Sequence, residues 1–266
     1  MTPTTENPLR VSYQNGMLLD ASDFQQEQNY NRTQLSRALA QLHGFGTLAG
    51  LKVEYLPAVA GSHPDEEIVV NPGLALDRDG HLIEVKTRQC LRLAKWFDFQ
   101  QAQPGITLKP YKPSASVRDL VGDLFLRFVE CPQGLRPGCP EPAADATDAL
   151  VASRINEGFE LLLVARDCDP ENNLPKTPVS RFAGTPATPR ALLDAIYAAY
   201  PATPANDPQE YPPDFTHKSA VFLSRVRIPV GTGATFARDT GRAVTVEDLN
   251  RPVIPPADLL RILLPA

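Results

Sequence analysis

The sequence predicts an α+β protein that is mainly antiparallel β, with one long N-terminal helix, short C-terminal helices and long Pro-rich loops. Three observations lead to this prediction. Apolar and polar residues alternate in short runs such as residues 51–56, which is typical of strands. One segment near the N-terminus has helical periodicity and signals at both ends. The 27 prolines are twice the usual share of ~5% and lie mostly between these segments.

The long helix is expected to begin at Ser22, whose side chain can cap the first turn while Gln25 reaches back. It is expected to continue to His43 and to end at Gly44, which can adopt the left-handed conformation. In its second half, three leucines share one face and are expected to join the hydrophobic core. They are Leu35, Leu39 and Leu42.

The first half of the helix, DFQQEQNYNR, carries amides and charges around two aromatic rings. Such a face is most often solvated, and the alternative is a polar seam against a neighbouring subunit. The candidate partner-binding residues here are Phe24, Gln28, Tyr30 and Asn31. Residues 1–12 precede the helix as an arm that could add to a neighbour's sheet edge.

Strands are expected at residues 51–56, 68–70, 74–76 and 81–85, with a hairpin turn at residues 77–80, because Asp-Gly tolerates positive φ. Further strands are expected in DLFLRFVEC, SRINEGFELLLVAR, AVFLSRVRIPV and RAVTVEDL. Residues 132–152 are expected to form a mobile excursion. Residues 100–117 are expected to link an N-terminal region, 1–99, to a β-rich body, 118–266, unless the whole chain is a single domain. The sequence shows no internal repeat and no heptads.

Composition excludes several classes of protein. A net charge of −5 does not provide the concentrated basic surface that nucleic acids require. The first ten residues lack the basic start and apolar core of a secretory signal, and the longest apolar run, residues 161–165, is too short to span a membrane. We therefore expect assembly in the cytoplasm, or export without threading across a membrane, and no direct membrane insertion.

The residues that could carry chemistry do not form a recognisable site, so no catalytic, cofactor-binding or metal-binding residue is predicted. The four histidines lack metal-ligand spacing, and Asp167, Asp169 and Glu171 lack the glycine of a calcium loop. Asp77 and Asp79 are interpreted as turn formers. Cys131 and Cys139 flank a Pro/Gly loop and could bridge if oxidised.

One aromatic cluster, KWFDF, makes Trp96 and Phe97 further candidates for partner binding. We expect it at the end of a strand. There it would either cap the edge of the core or contact a partner or a sugar.

Three segments together resemble the opening of structural proteins of phage-tail-like contractile injection systems: NGMLLDASDFQQEQNYNR, LHGFGTLAGLKV and NPGLALDRDGHLIEV. DLFLRFVEC, SRINEGFELLLVAR and the segment from FLSRVRIPV to RILLP resemble the rest of that group, and GMLLDASDFQQEQ is similar to the N-terminal motif of a type VI secretion baseplate subunit. The resemblance implies a non-enzymatic oligomeric part of a baseplate, tail or fibre attachment, with other particle proteins as partners. The alternatives are a receptor- or glycan-binding module that uses Trp96 and a particle-borne hydrolase.

Overall fold

The computed structural model of the protein describes residues 9–61, 64–102, 108–114, 116–137, 150–168, 173–175, 188, 190–191, 215–232 and 237–256. Within these residues, two helices accompany eleven strands in antiparallel sheets. The protein is therefore mainly antiparallel β and broadly α+β, as predicted. The short C-terminal helices and most of the Pro-rich loops that the sequence predicts lie outside the described residues.

The helices are α1 (Ala21–His43) and α2 (Leu93–Ala102). The strands are β1 (Gly46–Gly50), β2 (Val53–Leu56), β3 (Glu67–Val70), β4 (Gly73–Leu76), β5 (Leu82–Val85), β6 (Gln89–Arg92), β7 (Tyr111–Ser114), β8 (Val117–Pro137), β9 (Leu150–Arg166), β10 (Val221–Val230) and β11 (Thr245–Glu247).

The first six strands form one meander that is bent into two three-stranded sheets. The strand orders are β1-β4-β5 and β2-β3-β6, so β1 continues into β2 and β4 follows directly from β3. At the bend, Gly50 and Leu51 have φ angles of 65° and 55°. A Cβ atom on Gly50 would lie 2.2 Å from the Pro72 carbonyl oxygen. Only glycine therefore permits these two backbone segments of the chain to cross in direct contact. The bend turns the Leu51 side chain into the core.

The remaining strands form a five-stranded sheet in the order β11-β10-β8-β7, with β9 also paired to β8. One face of this sheet packs on the bent meander. The main core lies between the meander and this face, and it includes Leu51, Ile68, Ile83, Phe97, Leu124, Leu126 and Leu223. The other face carries a smaller cluster around Phe125, Phe215 and Phe222. The main core thus takes residues from both 1–99 and 118–266.

A segment near residue 252 closes the free edge of β1. The Thr47 amide donates to the Pro252 carbonyl at 2.9 Å, and the Ile254 amide donates to the Thr47 carbonyl at 2.9 Å. Arg251 donates to the carbonyls of Leu223 at 2.7 Å and Leu51 at 2.8 Å. The two sheet systems are therefore joined by backbone-directed hydrogen bonds as well as by the core.

Three expectations for individual segments are wrong. Residues 100–117 are not all linker, because they contain the end of α2 and strand β7. The excursion expected at residues 132–152 is strand at both ends, up to Pro137 and again from Leu150. KWFDF lies in α2 rather than at a strand end. In the part of the chain that the structure describes, no helix has the length and hydropathy needed to cross a bilayer.

Candidate functional site

Helix α1 begins with a cap that differs from the predicted one. Asp20, not Ser22, is the N-cap: its Oδ1 accepts the amides of Ser22 at 2.7 Å and Asp23 at 3.2 Å. Asp23, not Gln25, reaches back and accepts the Asp20 amide at 3.0 Å. The Ser22 hydroxyl and the two backbone amides hold the pKa of the Asp20 carboxyl below its ordinary value. The helix ends at His43 as predicted.

One face of α1 is uncovered along most of the helix. Phe24, Leu35 and Leu42 keep 51%, 62% and 78% of their surface exposed, and the residues between them on this face are exposed as well. At about 100° per residue, six positions form a single line along the helix. We call this line the outer stripe; it consists of Phe24, Gln28, Asn31, Leu35, Ala38 and Leu42.

The expectation that three leucines of α1 join the core is wrong. None of the 23 residues of the helix is buried. Leu35 and Leu42 lie on the outer stripe, and Leu39 is only half-buried. Helical periodicity identifies which residues share a face, but not whether that face is covered by the same chain.

The inner side of α1 contacts the turn between β4 and β5, and it contacts β8 and β9 at Glu130 and Glu157. A Cβ atom on Gly80 would lie 1.9 Å from the Ser36 carbonyl oxygen, so a glycine allows the helix backbone to lie against the turn. Arg32 pairs with Glu130, and its guanidinium lies 3.6 Å from Glu157. These contacts orient the helix and leave the outer stripe facing away from the body.

The turn below α1 is held by the buried carboxylate of Asp77. It accepts the His81 backbone amide at 2.7 Å and lies 3.0 Å from the His81 Nδ1 atom. The His81 ring stacks on Phe128 with centroids 4.5 Å apart. This hydrogen bond with Asp77 raises the pKa of the His81 imidazole above its ordinary value.

Asp77, Asp79 and His81 are the group in the described chain with the composition of a metal site, with one ligand atom from each lying within 4.8 Å of the others. Asp77 already accepts two hydrogen bonds from His81, however, and both bonds close the turn. This arrangement agrees with the prediction that Asp77 is a turn former.

The predicted partner-binding residues occupy two elements. Phe24, Gln28 and Asn31 come together on the outer stripe, whereas Tyr30 is half-buried on the side of α1 toward the body. In α2, Trp96 donates its indole N–H to the Leu163 carbonyl at 2.7 Å, and the Phe97 ring is buried in the core. The contact of either α2 ring with a partner stays a prediction.

A two-stranded ribbon is the second uncovered element, and the strands expected in DLFLRFVEC and SRINEGFELLLVAR include only part of it. Past Phe128 and Phe159, β8 and β9 remain paired up to Pro137 and Leu150. Residues 130–136 and 152–157 are exposed on both strands. The ribbon extends for about 25 Å at 3.3 Å per residue. Proline and glycine in residues 132–139 concealed the strand signal, because both residue types are usually depleted in strands.

The buried charges of the five-stranded sheet serve its architecture. Asp123, at 0% exposure, accepts from Arg166 at 2.6 Å and from Arg225 at 2.7 and 3.0 Å. The three residues come from β8, β9 and β10, so this ion cluster ties the central strands together. Near it, burial raises the pKa of the Cys168 thiol to about 11, which keeps the thiol neutral. Cys131 is a free exposed thiol, and Cys139 lies outside the described residues.

The fold and the site define an antiparallel-sheet α+β protein whose long N-terminal helix has an uncovered face. The chain matches no protein-family model, and no curated protein matches it.

Proposed function

We propose that the protein is a structural assembly component of a contractile injection system or phage-tail-like particle. It acts through protein–protein contacts in the baseplate, the tail or the attachment of fibres. The observation that carries this proposal is the outer stripe of α1, where three large apolar side chains remain exposed on a helix without a buried residue. The resemblance of several segments to structural proteins of such particles supports the same function.

The energetics of α1 favour a partner. A helix gains most of its stability from packing an apolar face rather than from intrinsic propensity. Full burial of a Leu or Phe side chain contributes about 1.5–3 kcal/mol. Since the three apolar residues of the stripe are already partly covered, a partner would gain on the order of 3–6 kcal/mol from them.

That gain is comparable with the cost of association, which is at least about 4 kcal/mol. The outer stripe alone therefore supports weak binding, and a stable assembly needs additional contacts. The exposed ribbon of β8 and β9 provides a second surface on the same chain, with Leu135 and Ile155 uncovered. Several weak surfaces used together are typical of a component that many neighbours hold in a particle.

The experiment replaces stripe residues without disturbing the core. Leu35→Glu with Leu42→Glu places two charges on the outer stripe. Gln26→Glu with Gln41→Glu adds the same charge at exposed positions of α1 outside the stripe. Each variant replaces the wild-type protein in cells that produce the particle, and the purified particles are assayed for the protein.

We expect wild type and the Gln26/Gln41 variant in the particle, and a reduction of at least about tenfold for the Leu35/Leu42 variant, since a charge buried at an interface is costly. Circular dichroism and thermal unfolding confirm that all three proteins are folded. Absence of the wild-type protein from the particle would refute the proposed function. Normal incorporation of the Leu35/Leu42 variant would refute the role of the stripe.

A further inference from the structure

We infer that the outer stripe of α1 binds the outer stripe of a second copy of this chain, with the two helices parallel and in register. The inference rests on the proposed function and names one partner for the same surface. It is carried by the spacing of the stripe, by the order of its polar and apolar residues, and by its exposure.

The spacing of the stripe is that of a coiled-coil seam. Its six positions are separated by four, three, four, three and four residues. This alternation corresponds to the a and d positions of successive heptads. Gln28, Leu35 and Leu42 occupy a positions, and Phe24, Asn31 and Ala38 occupy d positions. The expectation of no heptads missed this pattern because two amides interrupt the apolar residues, whereas the exposed positions of the face form it.

The two amides determine the direction of pairing. In a parallel, in-register pair each residue meets its own copy, so Gln28 faces Gln28 and Asn31 faces Asn31. An amide side chain both donates and accepts, so it can satisfy an identical amide. A polar residue at such a position is known to specify register at some cost in stability.

The antiparallel alternative mismatches the same side chains. Reversing one helix about the centre of the stripe places Gln28 against Ala38, and Asn31 against Leu35. Both amides would then be buried against aliphatic groups without a hydrogen-bond partner, which is unfavourable. The order of residues along the stripe therefore favours the parallel pair.

The flanks of the stripe agree with this arrangement. Glu27 occupies a g position, and Arg32 occupies the following e position. In a parallel pair, g and e residues of opposite charge lie beside each other across the seam. Within one chain, Glu27 accepts a hydrogen bond from Tyr13, and Arg32 pairs with Glu130. Because both side chains already have partners within one chain, the Glu27–Arg32 pair contributes more to the relative orientation of the two helices than to the affinity of the dimer.

Within the part of the chain that the structure describes, all six stripe residues are exposed. The turn at Gly80 lies against the Ser36 side of α1, away from the outer stripe. The stripe spans 19 residues, about 27 Å of helix. Because it is short and one-third amide, we expect a dissociation constant between about 1 µM and 1 mM for the isolated protein. The fixed positions of neighbouring subunits in a particle raise the effective concentration above this range.

Cysteine cross-linking tests the pairing. Cys90, Cys131 and Cys139 are first replaced by serine, which leaves the buried Cys168. Gln28→Cys is then introduced on the stripe, and Gln26→Cys at an exposed position outside it. Under mild oxidation, we expect Gln28→Cys to form a disulfide-linked dimer at least tenfold faster than Gln26→Cys. Adding Leu35→Glu to the Gln28→Cys chain should abolish this difference.

A mixture of the Asn31→Cys and Leu35→Cys chains tests the direction. Parallel pairing predicts that each chain links mainly to its own kind, whereas preferential linkage between the two would overturn the parallel arrangement. Equal rates for Gln28→Cys and Gln26→Cys, with a monomer in sedimentation at high concentration, would overturn self-association. If the wild-type protein still enters particles and the Leu35/Leu42 variant does not, the proposed function stands and the stripe binds a different protein.

Discussion

His81 connects three parts of the molecule through one side chain. Its backbone amide and ring nitrogen bond to Asp77, its ring stacks on Phe128 at the root of the ribbon, and the turn it belongs to supports α1. The hydrogen bond with Asp77 raises the pKa of the imidazole in the folded state. The imidazole therefore binds a proton more tightly in the folded protein than in the unfolded chain.

The raised pKa of His81 gives a pH-dependent stability with a defined sign. Its contribution is fully present below the unfolded value of about 6.5 and is lost as the pH rises through the higher folded pKa. His81→Phe keeps an aromatic ring against Phe128 but removes the pairing with Asp77. We expect urea unfolding to show a larger loss of stability for this variant at pH 5.5 than at pH 8.5.

His217 provides the counterpart, since burial and the nearby Arg127 lower the pKa of its ring. Its contribution is present above the unfolded pKa and is lost as the pH falls through the lowered value. His217→Phe should therefore cost less stability at acidic pH than at pH 8.5. The same pH trend for both variants would contradict this assignment.

Asp123 is the residue whose loss should harm the fold most. Asp123→Asn keeps the shape of the side chain but leaves the buried guanidiniums of Arg166 and Arg225 without their carboxylate. Removing one partner of a buried ion cluster costs about 3–5 kcal/mol. Glu84→Gln, which removes the exposed pair with Lys86, should cost less than about 1 kcal/mol. Urea midpoints measure both changes, and equal small effects would contradict the structural role of Asp123.

At the scale of elements, local chemistry explains what the sequence could predict. The bounds of α1 fall within one residue of expectation because its ends are set by capping and by glycine. The hairpin turn was predictable because Gly80 supplies the positive φ that it needs. The cap itself was assigned to the wrong residue, since Asp20 and Ser22 are both good N-cap residues and spacing alone did not separate them.

The elements that could not be predicted depend on contacts far along the chain. Aromatic residues favour strands in general, but Phe97 lies in α2 because the helix buries that ring against the main core. The ribbon exists because the pairing of β8 with β9 continues from Val121 to Pro137, Pro132 included. Of the candidate site, Phe24, Gln28 and Asn31 were identified from their polar surroundings. The continuation of the stripe through Leu35 and Leu42 was missed because leucines on a helix usually face the core.

The exposure of α1 makes its stability depend on the cap more than that of a buried helix would. We expect Asp20→Ala to destabilise the first turns by about 1 kcal/mol. Hydrogen exchange should then accelerate about fivefold for amides in the first half of α1, and should be unchanged in β10. Ser22→Ala serves as the control, because Ser22 does not accept the capping amides. An equal or larger acceleration in that variant would contradict the assignment of Asp20 as the cap.

The whole molecule is held together where the bent meander meets the five-stranded sheet. Arg238 pairs with Glu66 at 2.9 Å, and Arg242 pairs with Asp119 at 2.9 Å, so one loop joins both systems. Arg251 adds bonds to Leu51 and Leu223. The sequence predicts the strands but not these junctions, because residues separated by 28 to 200 positions carry no shared local pattern.

The crossing at the bend gives a prediction for the whole fold. Gly50→Ala would force a Cβ atom to within 2.2 Å of the Pro72 carbonyl oxygen, where backbone rather than a movable side chain is in the way. Gly61→Ala is a matched control, with a φ of 86° and no atom within 4 Å of the added Cβ. We expect the control to lose about 1 kcal/mol of stability, because alanine is disfavoured at a positive φ. The Gly50 variant should lose at least about 2 kcal/mol more in thermal or urea unfolding. Equal losses would contradict the close crossing.

The pairing of Thr47 with Pro252 and Ile254 also has a consequence for synthesis. A growing polypeptide displays the open side of β1 until some 200 later residues have left the ribosome. At 5–20 residues per second, that delay is roughly 10–40 s. During this time, other nascent chains and chaperones compete for the same row of amides and carbonyls. Slow translation of the intervening codons should therefore increase co-translational aggregation.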